Sequence, residues 1–109
     1  MREIKAIIRP ERLGDVLRAL HDIAGLPGVT VSRIRGFGRR YPPDDLSPVY
    51  DEAAMTKLEV VTPVALVESV VNAIERTAHT GRGGDGKIFV LPVEQAIRIR
   101  SGERNRDAL

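Results

Sequence analysis

Two apolar stripes at helical spacing, each preceded by a short run rich in branched side chains, constrain the fold of this chain more than any other feature. The first run spans Glu3–Ile8 and predicts a strand. The apolar residues after it recur every three or four positions: Leu13, Val16, Leu17, Leu20, Ile23 and Ala24. That period puts them on one face of a helix of about four turns, which the glycines of Gly25–Gly28 end.

The same order recurs in the second part of the chain. Residues 29–38 alternate β-branched with polar side chains, and Lys57–Thr62 resumes as a further strand. Thr62 and Pro63 then predict an N-cap followed by proline at the first helical position. The buried face of this second helix is formed by a second apolar set: Leu66, Val67, Val70, Val71, Ile74 and Ala78.

Lys87–Val93 predicts a fourth strand, and residues 97–102 a short final one. The order βαββαβ plus a short C-terminal strand indicates an α+β fold of the ferredoxin-like, split βαβ kind, with both helices on one face of an antiparallel sheet. Because 109 residues with 42% apolar content provide one modest core, we expect a single domain over residues 1–109.

The fourth strand is apolar on both faces. Ile88 and Val90 alternate with Phe89 and Leu91, and two helices cover only one face of a sheet. We therefore expect a homo-oligomer with apposed sheets, because the tail after Ser101 is too polar to cover the second face.

Composition excludes several classes of function. The formal charge is only +2, and two Phe, two Tyr and no Trp leave few rings for stacking bases, so no nucleic-acid partner is expected. The chain has no cysteine, no signal-peptide pattern and no apolar run that predicts membrane insertion, so a cytoplasmic protein is expected. His21 and His79 are isolated, so we expect no metal site, and no nucleophile–base pair predicts an enzyme.

Residues from Arg39 to Thr56 break the pattern. They contain three prolines and four acidic residues without a sustained period, which predicts a long loop over about residues 39–56, with a short element in Val49–Met55 left open. Such a loop is either functional or a connector. Its acidic side chains are either a cation or partner surface or a solvated cluster: Asp44, Asp45, Asp51 and Glu52.

The segment Thr80–Lys87 reads TGRGGDGK and raises the question of a phosphate site. Its glycines match a G-x-G-x-x-G pattern, but a helix precedes it and a strand follows, the reverse of a dinucleotide fingerprint. Taken alone it is equally a plain turn or an anion cradle, in which successive backbone N–H groups point into one concavity. Two other basic segments favour a polyphosphate site: Gly36–Arg40, and Arg98 with Arg100 on one face of the final strand.

Four blocks resemble one family. IKAIIRPERLGDVLRAL, GVTVSRIRGFGR, KLEVV and TGRGGDGKIFVLPVEQAIRIRSGE together are similar to the PII signal-transduction proteins, the nitrogen regulatory family, over nearly the whole chain outside residues 40–56. The resemblance implies a homotrimer with ATP or ADP in the clefts between subunits, AMP being a third candidate and magnesium left open. It also implies a sensor that docks through its loop on a protein target such as a membrane transporter or an enzyme.

The same resemblance implies site residues. Gly84, Asp85, Gly86 and Lys87 would wrap the phosphates, and Arg98 and Arg100 would reach them from the neighbouring subunit. The other wall would consist of the GFGR segment: Gly36, Phe37, Gly38 and Arg39. Four further residues would lie near the adenine and ribose: Ile8, Thr30, Glu59 and Val61.

Departures from the family pattern indicate a divergent, PII-like member. Typical members have Gln after GFGR to help hold the magnesium that chelates 2-oxoglutarate, whereas Arg40 here has no acceptor atom. The Lys that usually pairs with the 2-oxoglutarate carboxylate is replaced by Met55 or Ala54, so the usual response to 2-oxoglutarate is not expected. The RGAEYxVDF segment is absent, and Tyr50 is outside that motif, so we expect it to pack rather than to be modified.

Three alternatives stay open at this point. The first is a conventional nitrogen regulatory protein, and relatives associated with bicarbonate handling or metal efflux are open within the same class. The second is a small nucleotide-hydrolysing enzyme. The third is an oligomeric scaffold whose clefts stay empty.

Overall fold

The structure, a computed structural model, describes residues 1–40 and 49–109, without the side chains of Arg40, Val49 and Tyr50. Four strands and two α-helices follow one another as β1 (Arg2–Ile8), α1 (Leu13–His21), β2 (Thr30–Arg40), β3 (Val49–Thr62), α2 (Val67–Ala78) and β4 (Lys87–Pro92). Each helix follows a short 3-10 turn, at Pro10–Arg12 and at Val64–Leu66, and a third such turn spans Asn105–Ala108.

The strands form one antiparallel sheet in the order β2-β3-β1-β4. In the centre Lys5 lies opposite Glu59 on one side and opposite Phe89 on the other. The α+β fold with the ferredoxin-like order βαββαβ is therefore confirmed.

Both helices pack on one face of the sheet. Alternate residues of a strand point to the same side, and the apolar ones on this side contact the helices. Ile4, Ala6 and Ile8 of β1 are buried in one cluster with Leu58 of β3. The helices contribute the other half of the core: Val16, Leu20, Val70, Ala73, Ile74 and Ala78. The apolar spacing in the sequence identified most of this core. Ala24, predicted on the buried face, is exposed beyond the end of α1, and the buried Ala73 was not predicted.

The second face of the sheet is less apolar than expected. Phe89 is exposed there, as predicted, but the central strands present Glu3, Lys5, Lys57 and Glu59. The prediction made from β4 alone was too broad, because β1 and β3 carry charged residues at the same alternate positions.

The C-terminal tail also differs from expectation. Ala108 and Leu109 fold back to line a cleft with Thr30 and Val61, although the polar composition of the tail argued against such cover. The last two residues are apolar, and the turn at Asn105–Ala108 brings them to the sheet.

The final strand predicted over residues 97–102 does not form. Arg98 N–H donates to Glu103 O at 2.9 Å, and Gly102 N–H donates to Arg98 O at 2.8 Å, so the chain turns back on itself after an isolated bridge between Ile97 and Arg104. Gly102, with φ of 73°, allows this turn. Arg98 and Arg100 are consequently not neighbours on one strand face.

The long loop is shorter than predicted. β2 continues to Arg40 and β3 begins at Val49, so much of the expected loop is a two-stranded ribbon. Gly36 and Gly38 lie opposite Ala53 and Asp51 in it. The irregular composition concealed this pairing because small and acidic residues are poor strand signals.

The helix starts also correct the sequence prediction. Thr62 is the buried last residue of β3 rather than an N-cap, and its hydroxyl donates to Pro63 O at 3.3 Å. The helical stretch begins with the 3-10 turn after Pro63. The first α-helix ends at His21 rather than at Ala24.

Candidate anion-binding site

The glycine-rich turn connects α2 to β4 and depends on residues that adopt positive φ. Gly81, Gly84 and Gly86 have φ of 85°, 94° and 98°. A Cβ added at Gly86 would overlap the carbonyl oxygen of Ile7, so the turn passes directly against the end of β1. Only glycine meets both conditions at residue 86.

Asp85 is the centre of the hydrogen bonds in this turn. Its carboxylate accepts the backbone N–H of Thr80 at 2.8 Å, the backbone N–H of Gly81 at 2.9 Å and the Thr80 hydroxyl. These donors, the Thr80 hydroxyl and Arg9 foremost, hold the pKa of Asp85 well below its usual range. The carboxylate is therefore ionised and turned into the loop.

Arg9 is a residue of this candidate site that sequence reasoning missed. From the end of β1, its Nε donates to Asp85 Oδ1 at 2.9 Å and its Nη2 donates to Gly83 O at 2.6 Å. The only signal in the sequence is that Arg9 is a basic residue directly after β1. Its relation to the glycines depends on the pairing of β1 with β4, the strand that follows them. That adjacency of β1 and β4 is tertiary information, so the sequence pattern did not assign Arg9.

The outer side of the turn offers donors. Within the described part of the chain, the backbone N–H groups of Gly83 and Gly84 have no hydrogen-bond acceptor, and Arg82 and Lys87 are exposed beside them. Successive unpaired N–H groups flanked by cations form a concavity that suits an anion.

A cleft of about 410 Å³ adjoins the turn, and Gly86, Lys87 and Ile7 line it together with residues of α2. The side chain of Ile8, which the family resemblance placed near a base, is only 1% exposed and packs in the core. Ile8 nevertheless lines this cleft together with Ile7, which is half-buried, so both residues border it.

Four other predicted residues lie together in a second cleft of about 490 Å³, where the tail also packs: Thr30, Glu59, Val61 and Arg98. The Arg98 guanidinium donates to Leu109 O at 3.0 Å and lies 3.6 Å from the Glu103 carboxylate. In this chain Arg98 thus already has anionic and carbonyl partners.

A carboxyl pair borders the second cleft. A side-chain hydrogen bond with Glu59, together with burial, raises the pKa of Glu3. The same hydrogen bond lowers the pKa of Glu59, with help from Lys57, whose Nζ lies 3.5 Å from Glu59 Oε1. Glu3 thus holds its proton more readily than Glu59 does.

The two clefts lie at opposite ends of the sheet. Ile7 borders the first cleft opposite Lys87, and Glu3, four residues earlier on β1 and roughly 14 Å away along the strand, borders the second. Gly36–Arg39 extend past the end of β1 on the ribbon. A single chain therefore does not bring the predicted residues into one pocket, and among the described residues neither cleft includes Gly36–Arg39 or Arg100.

Several predictions concern residues outside this description. Asp44 and Asp45, and the side chains of Arg40 and Tyr50, lie outside the described residues, so the expectations for them stay predictions. Of the same acidic cluster, Glu52 pairs with Arg35 at 3.2 Å.

The histidines are exposed, as predicted, and His79 Nδ1 lies 3.9 Å from Asp85. Over residues 1–40 and 49–109, no group of three His, Cys, Asp or Glu side chains is arranged to hold a metal ion. In the same ranges, no helix has the length and apolar character needed to cross a membrane.

The fold and this turn define a ferredoxin-like α+β protein with a glycine-rich turn between α2 and β4. The family model for "Nitrogen regulatory protein P-II" matches residues 1–103. Proteins of that name from Azospirillum brasilense, Rhodospirillum rubrum and Haemophilus influenzae are 47%, 49% and 48% identical to this chain, over the full length of both sequences. The chain belongs to the nitrogen regulatory protein P-II family, a family of regulatory signal-transduction proteins, as the sequence blocks predicted.

Proposed function

We propose that this protein is a cytoplasmic sensor that binds ATP or ADP, with AMP as a third candidate ligand, and controls a protein target through residues Arg39 to Met55. The observation that carries the proposal is the turn at Gly83–Asp85, where the unpaired backbone N–H groups of Gly83 and Gly84 are flanked by Arg82 and Lys87. Preorganised N–H donors and cations favour a polyphosphate over a single phosphate.

The complete site would form between subunits of a homotrimer. Lys87 and Arg98 lie at opposite ends of one sheet, so a head-to-tail neighbour can place its Arg98 cleft beside the turn. Ile97 and Ile99 support this arrangement because both are exposed on one segment of the single chain, Ile99 at 98%, and neighbouring exposed aliphatic side chains favour an interface. Gly84–Lys87 would bind the phosphates, Gly36–Arg39 would form the second wall, and Arg98 and Arg100 would come from the neighbour.

The response to 2-oxoglutarate would differ from that of typical members. Met55 lies on β3 opposite Ile34, and its Cγ is 3.6 Å from the position of a Cβ on Gly36. A thioether there cannot form an ion pair with a carboxylate. The protein target would be a transporter or an enzyme that contacts the ribbon of β2 and β3, and the conventional nitrogen regulatory role is the alternative within the class.

Calorimetric titration with ATP, ADP and AMP, with and without magnesium and 2-oxoglutarate, tests the ligand. Arg98→Ala should weaken ATP more than AMP, because its guanidinium is assigned to the outer phosphates. The absence of heat with every adenylate would contradict nucleotide binding. Release of phosphate over many turnovers would favour a nucleotide-hydrolysing enzyme, and tighter ATP binding with 2-oxoglutarate would favour the conventional role.

Mixing two weakened variants tests whether the site lies between subunits. Lys87→Ala and Arg98→Ala should each bind ATP weakly, yet unfolding and refolding them together at equal amounts should restore wild-type affinity at about a quarter of the sites, where an intact Lys87 meets an intact Arg98. A mixture refolded from Lys87→Ala alone is the control. No recovery in the mixed sample would place both residues in one chain's site and contradict the shared cleft.

A further inference from the structure

We propose that Arg9 and Asp85 are positioning residues of the phosphate loop, and that they hold Gly83–Asp85 in the shape that presents its backbone N–H groups to an anion. The inference rests on the proposed function, since the anion is taken to be the polyphosphate of an adenine nucleotide. We call the pair the Arg9–Asp85 clasp.

The clasp joins two distant parts of the chain through one planar group. Arg9 Nε donates to Asp85 Oδ1 at 2.9 Å and Arg9 Nη2 donates to Gly83 O at 2.6 Å. The guanidinium thus binds the residues before and after Gly84. Both side chains are largely shielded, at 19% and 24% exposure. A lysine has a single ammonium nitrogen and cannot reproduce this fork.

Asp85 fixes the opposite part of the turn. Its Oδ2 accepts the N–H groups of Thr80 at 2.8 Å and Gly81 at 2.9 Å, while Oδ1 faces Arg9. The Asp85 carboxylate thus connects the first residues of the turn to Arg9, which directly follows β1. The glycines between these contacts are thus held at both ends of the turn.

The bond to Gly83 O determines the direction of the next N–H. In a planar trans peptide, the carbonyl of one residue and the N–H of the following residue point in opposite directions. Because Arg9 holds the Gly83 carbonyl inward, the Gly84 N–H is turned outward, and both glycines are exposed. Arg9 therefore orients a donor that it does not itself touch.

The clasp also neutralises a charge. The ionised Asp85 carboxylate lies beside the proposed phosphate position and would repel a polyanion if it were unpaired. Arg9 compensates that charge from inside, which leaves Lys87 and Arg82 to act outward. Preorganisation of this kind strengthens binding because the loop is ordered before the ligand arrives.

Calorimetry on Arg9 variants tests the clasp. Arg9→Met, which removes both contacts, should weaken ATP about tenfold or more, as expected for the loss of bonds to charged groups, and AMP much less. Arg9→Lys should recover part of the affinity, since it restores the charge and one contact. Arg9→Met with wild-type ATP affinity and a wild-type ratio of ATP to AMP would overturn the inference.

Arg12→Met is the matched control. Arg12 donates to the Thr77 carbonyl near the end of α2 through Nε at 2.9 Å and Nη2 at 2.5 Å. It therefore stabilises the end of α2 beside the turn without a hydrogen bond to the glycines. It should lower the melting temperature as Arg9→Met does but leave the ratio of ATP to AMP affinity unchanged. An equal change of the ratio in both variants would reduce Arg9 to a general structural role and contradict the positioning role.

A nucleotide-independent readout separates the two proposals. If the wild-type protein binds no adenylate, the proposed function fails, and the clasp is judged by amide NMR with inorganic tripolyphosphate. The Gly83–Asp85 amide signals should shift in the wild-type protein and stay unshifted in Arg9→Met. Absence of any shift in the wild-type protein, or the same shift in Arg9→Met, would overturn the clasp.

Discussion

At the scale of single residues, the shape of the glycine-rich turn depends on positions that accept only glycine. Gly86 has a positive φ and passes against the Ile7 carbonyl, whereas Gly83 has open space around the position of a Cβ. Two glycines in the same short loop thus have different roles. Gly86 has no room for a side chain, whereas the position of Gly83 has room for one.

Replacement of these glycines tests that difference. Gly86→Ala should lower the free energy of unfolding by at least about 2 kcal/mol, because it combines a disfavoured φ with a clash against backbone. Gly83→Ala should change it by less than about 0.5 kcal/mol, since its Cβ meets no atom within 4 Å. Urea denaturation measures both, and equal effects would contradict the geometry of the turn.

Asp85 predicts a pH dependence of stability. Its pKa in the folded chain lies far below the ordinary 3.8, so ionised Asp85 stabilises the fold above that value, and the contribution is lost as the pH falls through the folded pKa. Asp85→Asn should therefore be less stable than wild type at pH 7, and the difference should shrink as the pH falls below about 4. Unfolding series between neutral and acid pH measure this, and a constant difference would contradict it.

At the scale of elements, helix α2 links the core to the site. Its inner face buries Val70, Ile74 and Ala78 against the sheet, and the glycine-rich turn follows directly. Arg12 reinforces this end of the helix through the Thr77 carbonyl. The packing of α2 against β1 thus determines the position of the turn.

Truncation in α2 tests how firmly it packs. Ile74→Ala should cost about 2–5 kcal/mol, because the side chain is fully buried and the neighbours close only part of the cavity. Val64→Ala, at an exposed position before the helix, should cost less than about 0.5 kcal/mol and is the control. Chemical denaturation measures both, and a small effect of Ile74→Ala would mean that the helix face is not the core.

At the scale of the whole molecule, the two ends of the sheet would carry complementary halves of the proposed site. The glycine-rich turn lies at one end, and the Arg98 cleft with the packed tail lies at the other. The second sheet face carries Glu3, Lys5, Lys57 and Glu59 together with Phe89, so contact between copies there would need paired charges as well as apolar area.

Assembly can be tested at one exposed side chain. Ile99→Asp should lower the oligomeric state measured by light scattering on a size-exclusion column, because a carboxylate would enter the proposed interface. Val64→Asp changes an exposed valine at the start of the second helical stretch and should leave the assembly intact. If Ile99→Asp assembles as the wild type does, Ile99 is not at a subunit interface.

What the sequence by itself determined was the order of elements, the core and the family. Periodicity located both helices because apolar side chains at i, i+3 and i+4 must share a face. The glycines of Thr80–Lys87 were recognised for the same local reason, since positive φ is a property of the residue type. The ends of the helices and the ribbon over residues 39–56 were predicted less well, because pairing between strands outweighs local composition.

Only the tertiary structure decided how Arg9, Asp85 and Gly83 meet, and that Arg98 lies at the other end of the sheet from Lys87. Arg9 and Asp85 are 76 positions apart, and they become neighbours because β1 pairs with β4. The final turn at Gly102 replaced a predicted strand because hydrogen bonds within the tail were available and a neighbouring strand within the described sheet was not. Contacts between distant residues depend on strand order, which no local pattern in the chain encodes.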